Sequence, residues 1–132
     1  IVMRRINQII LHCSDSDYPQ HDNVETIRQW HLERGWKDIG YHYVITKDGR
    51  IRWGRALELY GAHCIGQNKD SIGICLCGRK EFTQAQFKSL QVLILRLMDR
   101  YNLTKEDVYG HNHYNKLKSC PNFNVAEALK DI

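Results

Sequence analysis

Proline and long apolar runs are scarce in this chain. Pro19 and Pro121, the two prolines, stand near opposite ends of the 132 residues, so no proline-rich linker divides the chain. No apolar run approaches the roughly 18 residues that a membrane-spanning helix needs, which excludes a helical span within these residues. Internal repeats and low-complexity tracts are also missing. Acidic residues are the minority: 15 Asp and Glu against 19 Lys and Arg leave a formal charge of +4. That mild excess would favour an anionic partner, and lysines on a solvated face explain it equally well. The basic residues are dispersed and no nucleic-acid-binding motif is present, which argues against a nucleic-acid binder.

Cysteine is present without a disulfide framework. The five residues, Cys13, Cys64, Cys75, Cys77 and Cys120, are odd in number and irregularly spaced. Cys75 and Cys77 form C-x-C rather than C-x-x-C, so neither a zinc knuckle nor a thioredoxin-type pair is indicated. In a strand-like run they share one face, which reads as two small buried hydrophobes. Free thiols imply a reducing site of synthesis, without excluding later release. No export signal is visible, although a chain that opens Ile1-Val2-Met3 need not begin where the natural protein does.

What is present reads as one domain over residues 1–132, large enough to bury about two-thirds of its unfolded surface. Residues 6–13 form an apolar run expected of a buried strand. Asp22 with Glu25 three residues later reads as a capping box opening a helix that runs to a stop at Gly35. Tyr41–Ile45 and Ile51–Gly54 flank Asp48-Gly49, a hairpin signal. Ser71–Cys77 reads as another buried strand. Thr83 with Gln86 forms a second capping box, followed by Phe87, Leu90, Ile94, Leu97, Met98 and Tyr101 at helical spacing. Val108-Tyr109 reads as a short strand, and Asn124 with Glu127 caps a last helix. The order β-α-β-β-β-α-β-α predicts an α/β domain with a central mixed sheet flanked by helices.

The richest segment runs from Gly110 to Pro121 and holds His111, His113, Lys118 and Cys120. Near the other end, Ile9-Ile10-Leu11-His12 delivers a further histidine from the end of an apolar run. Two histidines and a cysteine from distant segments suit a three-ligand zinc site whose fourth position stays open for water, the pattern of catalytic rather than structural zinc. Zinc in such a setting acidifies water and polarises a carbonyl, both useful for amide hydrolysis. Each residue has a plainer reading too: His12 as a core histidine, Lys118 as one of 19 mostly solvated cations, Tyr41 as packing. Lys118 could turn its ammonium toward a developing oxyanion. Tyr41, next to Gly40, could bind the attacking water or the substrate carbonyl.

Several motifs occur in one order: Ile10-Leu11-His12-Cys13-Ser14, Gly40-Tyr41-His42-Tyr43-Val44-Ile45, Asp48-Gly49, Gly61-Ala62-His63, Asn68 with Ser71-Ile72-Gly73-Ile74, and Gly110-His111 with Lys118-Ser119-Cys120-Pro121. This ordered set closely resembles the zinc-dependent N-acetylmuramoyl-L-alanine amidases, which include phage amidase-type lysozymes and peptidoglycan recognition proteins. The resemblance spans about residues 6–130. It implies cleavage of the amide between the lactyl group of N-acetylmuramic acid and L-alanine of bacterial peptidoglycan. It also implies Zn2+ held by His12, His111 and Cys120, a catalytic pair of Tyr41 and Lys118, and His42 and His63 lining the substrate cleft. A monomer acting on the wall, outside the cytoplasmic membrane, is the corresponding expectation.

One departure stands out. The family commonly leaves seven residues between the second histidine and the cysteine, whereas eight separate His111 from Cys120. Either the loop carries an extra residue or His113 coordinates instead; the Gly110-His111 pair favours His111. Two rival functions remain: a non-catalytic wall-binding module on the same fold, and a thiol hydrolase using Cys13 or Cys120 as nucleophile beside a histidine. Cys120, Lys118 and Tyr41 together argue against the first.

Overall fold

In the computed structural model, which describes residues 4–132, the strands form a five-stranded sheet. In chain order the strands are β1 (Gln8–Cys13), β2 (Tyr43–Ile45), β3 (Ile51–Trp53), β4 (Ser71–Leu76) and β5 (Val108–Gly110). Their spatial order is β3-β2-β4-β1-β5. Only β3 is antiparallel to its neighbour; β2, β4, β1 and β5 run parallel. The sheet is therefore mixed, as expected. The opening residues 1–3 lie outside the described residues.

The parallel strands have both faces covered, so β1 and β4 are buried along their whole length. Alternate residues still go to different partners. Ile9 and Leu11, Ile72, Ile74 and Leu76, with Tyr43 and Ile45, pack against helix α2 (Gln84–Tyr101) through Leu90, Leu93, Ile94 and Leu97. On the other face Val44, Cys75 and Cys77 meet Val24 and Ile27 of helix α1 (Val24–Glu33), together with Ile39. Cys75 and Cys77 are thus buried small hydrophobes on one face. Burial raises both thiols, that of Cys77 to about 12.

Helix starts follow their caps, with one correction. Thr83 and Gln86 form the expected capping box on α2. Gln86 is itself buried and also donates to the Ile45 and Cys77 carbonyls, tying α2 to β2 and to the end of β4. At α1 the cap is Asn23, whose side chain accepts from Thr26 N–H at 2.7 Å, not Asp22. A 3-10 turn over Pro19–His21 takes up the preceding residues, and the Asp22 carboxylate accepts from Lys47 N–H at 2.8 Å instead. Gly35 stops α1 with φ +87, as its position after the last turn requires.

β2 is shorter than the run from Tyr41 predicts. The Gly40–His42 stretch spreads its backbone bonds over three segments: His42 N–H to Gly73 O, Ala62 N–H to Gly40 O, and Gly54 and Arg55 N–H to His42 O and Tyr41 O. A side chain at Gly40 would place Cβ 2.2 Å from Ala62 O, so the close approach that glycine permits here is backbone on backbone. After β5 the chain forms a short helix α3 (His111–Tyr114) where a loop was expected, and α4 (Val125–Ala128) is capped by Asn124.

Candidate metal centre and cleft

Parallel pairing brings the ends of β1 and β5 to one rim of the sheet. Leu11 is in register with Gly110, so the next residues, His12 and His111, stand side by side with ring centroids 4.7 Å apart. Cys120 arrives from the loop after α3. Two backbone bonds hold it there: Asn112 N–H donates to Cys120 O at 2.9 Å, and Cys13 N–H donates to Cys120 Sγ at 3.1 Å. One ligand atom from each of His12, His111 and Cys120 lies within 4.8 Å of the others. His12 Nδ1 is 3.9 Å from Cys120 Sγ. A tetrahedral zinc site separates its N and S ligands by about 3.3–3.7 Å, so these donors fit such an ion after a small inward adjustment.

His113 does not compete. Its exposed ring stacks on Tyr109, centroids 4.6 Å apart at 25°, and faces a separate groove beside α4. The extra residue between His111 and Cys120 is accommodated in α3 and the turns that follow it.

A cavity of about 1010 Å³ opens beside the three donors, and Tyr41, His63, His111, Lys118 and Cys120 all line it. The Tyr41 ring lies 5.0 Å from that of His12. Lys118 is exposed and near enough to His111 for its charge to act on that ring. Ile65 and Leu117, 97% and 96% exposed, form apolar lips.

His42 departs from the expectation. It is fully buried and does not border the cavity: its Nδ1 accepts from Gly73 N–H at 3.0 Å and its Nε2 meets Leu59 O at 3.0 Å. It is a brace between β4 and the 59–61 segment, because Gly73 leaves a backbone N–H for it to satisfy. The cleft contains instead a residue not singled out from the sequence, His31 of α1. Its Nδ1 accepts from Gly40 N–H at 2.8 Å and its ring lies 5.3 Å from Tyr41. The available signal was its place on the buried stripe of α1, seven residues after Val24 and four after Ile27.

Burial sets the charge state of this region. It lowers His12 well below the ordinary imidazole value, with His63, His111 and His31 adding to the effect. Burial likewise lowers His63, and lowers His111 with help from Lys118. His31 and His42 fall to about 4, again chiefly through burial. The imidazoles are therefore neutral at pH 7, which leaves His12 and His111 a lone pair each to offer a cation. Burial, followed by the nearby thiols of Cys75, Cys120 and Cys13, holds the Tyr41 hydroxyl well above its ordinary value. It is a neutral phenol and a hydrogen-bond donor. The Cys120 thiol is raised by the hydrogen bond it shares with Cys13 and by burial, so a cation is the natural means of drawing out its thiolate.

Fold and site together define an α/β domain with a His-His-Cys donor cluster at one rim of its sheet, and comparison with known proteins gives the family. The family described as N-acetylmuramoyl-L-alanine amidase matches residues 2–123. The chain belongs to that family. It is 38% identical over 125 residues to an endolysin of Escherichia phage T7, covering 89% of this chain and 81% of that one. The solved N-acetylmuramoyl-L-alanine amidase LysC from Clostridium intestinale URNW superimposes with a TM-score of 0.87 at 32% identity, over 97% of this chain and 85% of that chain. Drosophila PGRP-LB does so with a TM-score of 0.76 at 28% identity, over 90% and 76%.

Proposed function

We propose that this protein is a zinc-dependent amidase that cleaves the bond between the lactyl carbonyl of N-acetylmuramic acid and L-alanine in bacterial peptidoglycan. The observation that carries the reading is the convergence of His12, His111 and Cys120 at one rim of the sheet, beside a cavity that Tyr41 and Lys118 also line. Membership of the amidase family and the likeness to a phage endolysin and to LysC support the substrate class. His12, His111 and Cys120 would hold the ion. Once bound, zinc would supply an acidified water and a Lewis acid for the scissile carbonyl.

The protein's own groups account for the remaining tasks. Tyr41, a neutral donor, orients the attacking water or the substrate carbonyl by a hydrogen bond. Lys118 carries its ammonium on a short turn two residues before Cys120 and faces the oxyanion as it develops. His31 keeps the Gly40–Tyr41 backbone in place from behind. The apolar lips Ile65 and Leu117 offer contact area to the lactyl–peptide stem. Cys120 fits the part of a nucleophile less well, because its Cys13 hydrogen bond and burial hold the thiol protonated.

Purified cell walls and the purified protein test this reading. Wall turbidity should fall, a chelator should stop the fall, and added zinc should restore it. Mass spectrometry of the digest should find stem peptides with a free L-alanine amino terminus. Wall binding without that product would make the chain a recognition module. Inactivation by alkylation with no sensitivity to chelator would point to cysteine chemistry.

A further inference from the structure

His63 stands behind His12 in a seat made for it. His12 Nε2 is 2.8 Å from His63 Nδ1, and His63 Nε2 is 3.1 Å from the hydroxyl of Ser71, which is fully buried on β4. The Asn68 side-chain oxygen accepts from His63 N–H and Cys64 N–H at 2.9 and 3.0 Å, fixing the backbone that carries the ring. Two glycines make the space. A Cβ at Gly73 would lie 2.6 Å from His63 Cγ and Cδ2, and one at Gly61 would lie 2.6 Å from Cδ2. Only 7% of His63 is exposed, so it has little surface to offer a substrate.

A neutral imidazole carries its proton on one nitrogen only. His12 can bind a cation through Nδ1, the nitrogen facing Cys120, only if its proton sits on Nε2. His63 Nδ1 is the acceptor that would keep it there. The chain has two polarities. In one, His12 Nε2–H donates to His63 Nδ1 and His63 Nε2–H donates to Ser71 Oγ. In the other, Ser71 Oγ–H donates to His63 Nε2, His63 Nδ1–H donates to His12 Nε2, and the His12 proton occupies Nδ1. Each ring keeps one proton throughout, and the serine hydroxyl serves as acceptor or donor by rotation.

We propose that His63, backed by Ser71, is a positioning residue that selects the metal-binding tautomer of His12. The inference rests on the reading that His12, His111 and Cys120 hold zinc. It differs from a cleft-lining role for His63, because His63 acts through His12 and not on substrate. Partners behind a ligating histidine characteristically matter for affinity as well as for orientation.

The test uses metal-free protein, zinc alone as probe, and the variants His63→Phe, His63→Gln and Ser71→Ala. Chelator competition gives zinc affinity, and long-range ¹H–¹⁵N spectra give the tautomer of His12. His63→Phe should weaken zinc binding roughly 10–100-fold. His63→Gln should recover most of the loss, since its amide oxygen can accept from Nε2–H. Ser71→Ala should shift affinity in the same direction by less. In the zinc-loaded wild type, His12 should be protonated at Nε2. Equal affinity in wild type and His63→Phe, or a zinc-loaded His12 protonated at Nδ1, overturns the inference while leaving the zinc reading intact. If His63→Phe does not fold, Ser71→Ala and the wild-type spectra decide in the same way. A wild type that takes up no zinc defeats the zinc reading itself, and the inference with it.

Discussion

His12, His31, His42 and His63 crowd into one buried region, and burial keeps each ring neutral. Their roles are set by what each nitrogen faces. His12 and His111 present nitrogens to the Cys120 sulfur, while His31 and His42 spend theirs on Gly40 and Gly73 N–H groups. Lys118 is an exposed member of the cleft and lies outside the donor cluster. Lys118→Ala should therefore lower kcat roughly a hundredfold or more, the cost of one lost oxyanion stabiliser, with zinc content unchanged by elemental analysis. Loss of zinc as well would mean that Lys118 helps to assemble the ligands. The donor residues were legible because ligand chemistry resides in residue type. His31 and His42 were not, because a histidine's partners are backbone groups that only the folded chain brings near.

At the level of elements, α2 shows how a local signal becomes a tertiary fastening. Thr83 accepts from Gln86 N–H, and the Gln86 amide satisfies Thr83 N–H and the Ile45 and Cys77 carbonyls at once. Thr83→Ala should cost about 1 kcal/mol, read as a drop in Tm of about 4 °C. Gln86→Ala should cost more, about 2 kcal/mol, since it also strips the Cys77 carbonyl of its Gln86 partner, while the Ile45 carbonyl keeps Cys77 N–H. Equal shifts would mean that the strand contacts of Gln86 contribute nothing. The capping box at Thr83 was readable because its partners lie three residues apart. Asp22 carried the same local pattern, yet the 3-10 turn at Pro19 and the Lys47 backbone, 25 residues away, assigned it elsewhere. β2 was overextended for a similar reason: Gly40–His42 has strand-like residues, but its backbone bonds go to three different segments.

Over the whole molecule, the buried imidazoles make stability depend on acidity. His31 and His42 titrate near 4 when folded and near their ordinary value of 6.5 when unfolded. Between those values the unfolded chain holds more protons, so stability is full above pH 6.5 and declines as pH falls toward 4. The slope is about 1.4 kcal/mol per pH unit for each ring once the unfolded form is protonated. Thermal melts from pH 7 to 4 should show this loss. His31→Asn, which keeps an acceptor for Gly40 N–H, should lessen the slope by about one proton's worth, and an unchanged slope would place the titration elsewhere. The sequence by itself determined the α/β class, the order of strands and helices, the α2 cap, and His12, Cys120 and a histidine of the 111–113 segment as candidate donors, since periodicity, short-range capping and ligand chemistry are carried by residue type and spacing. Tertiary structure alone decided that His111 and not His113 joins His12, that His42 braces β4, and that His31 enters the cleft. Those outcomes follow from the β1–β5 register and from backbone hydrogen bonds between distant segments, which linear spacing does not encode.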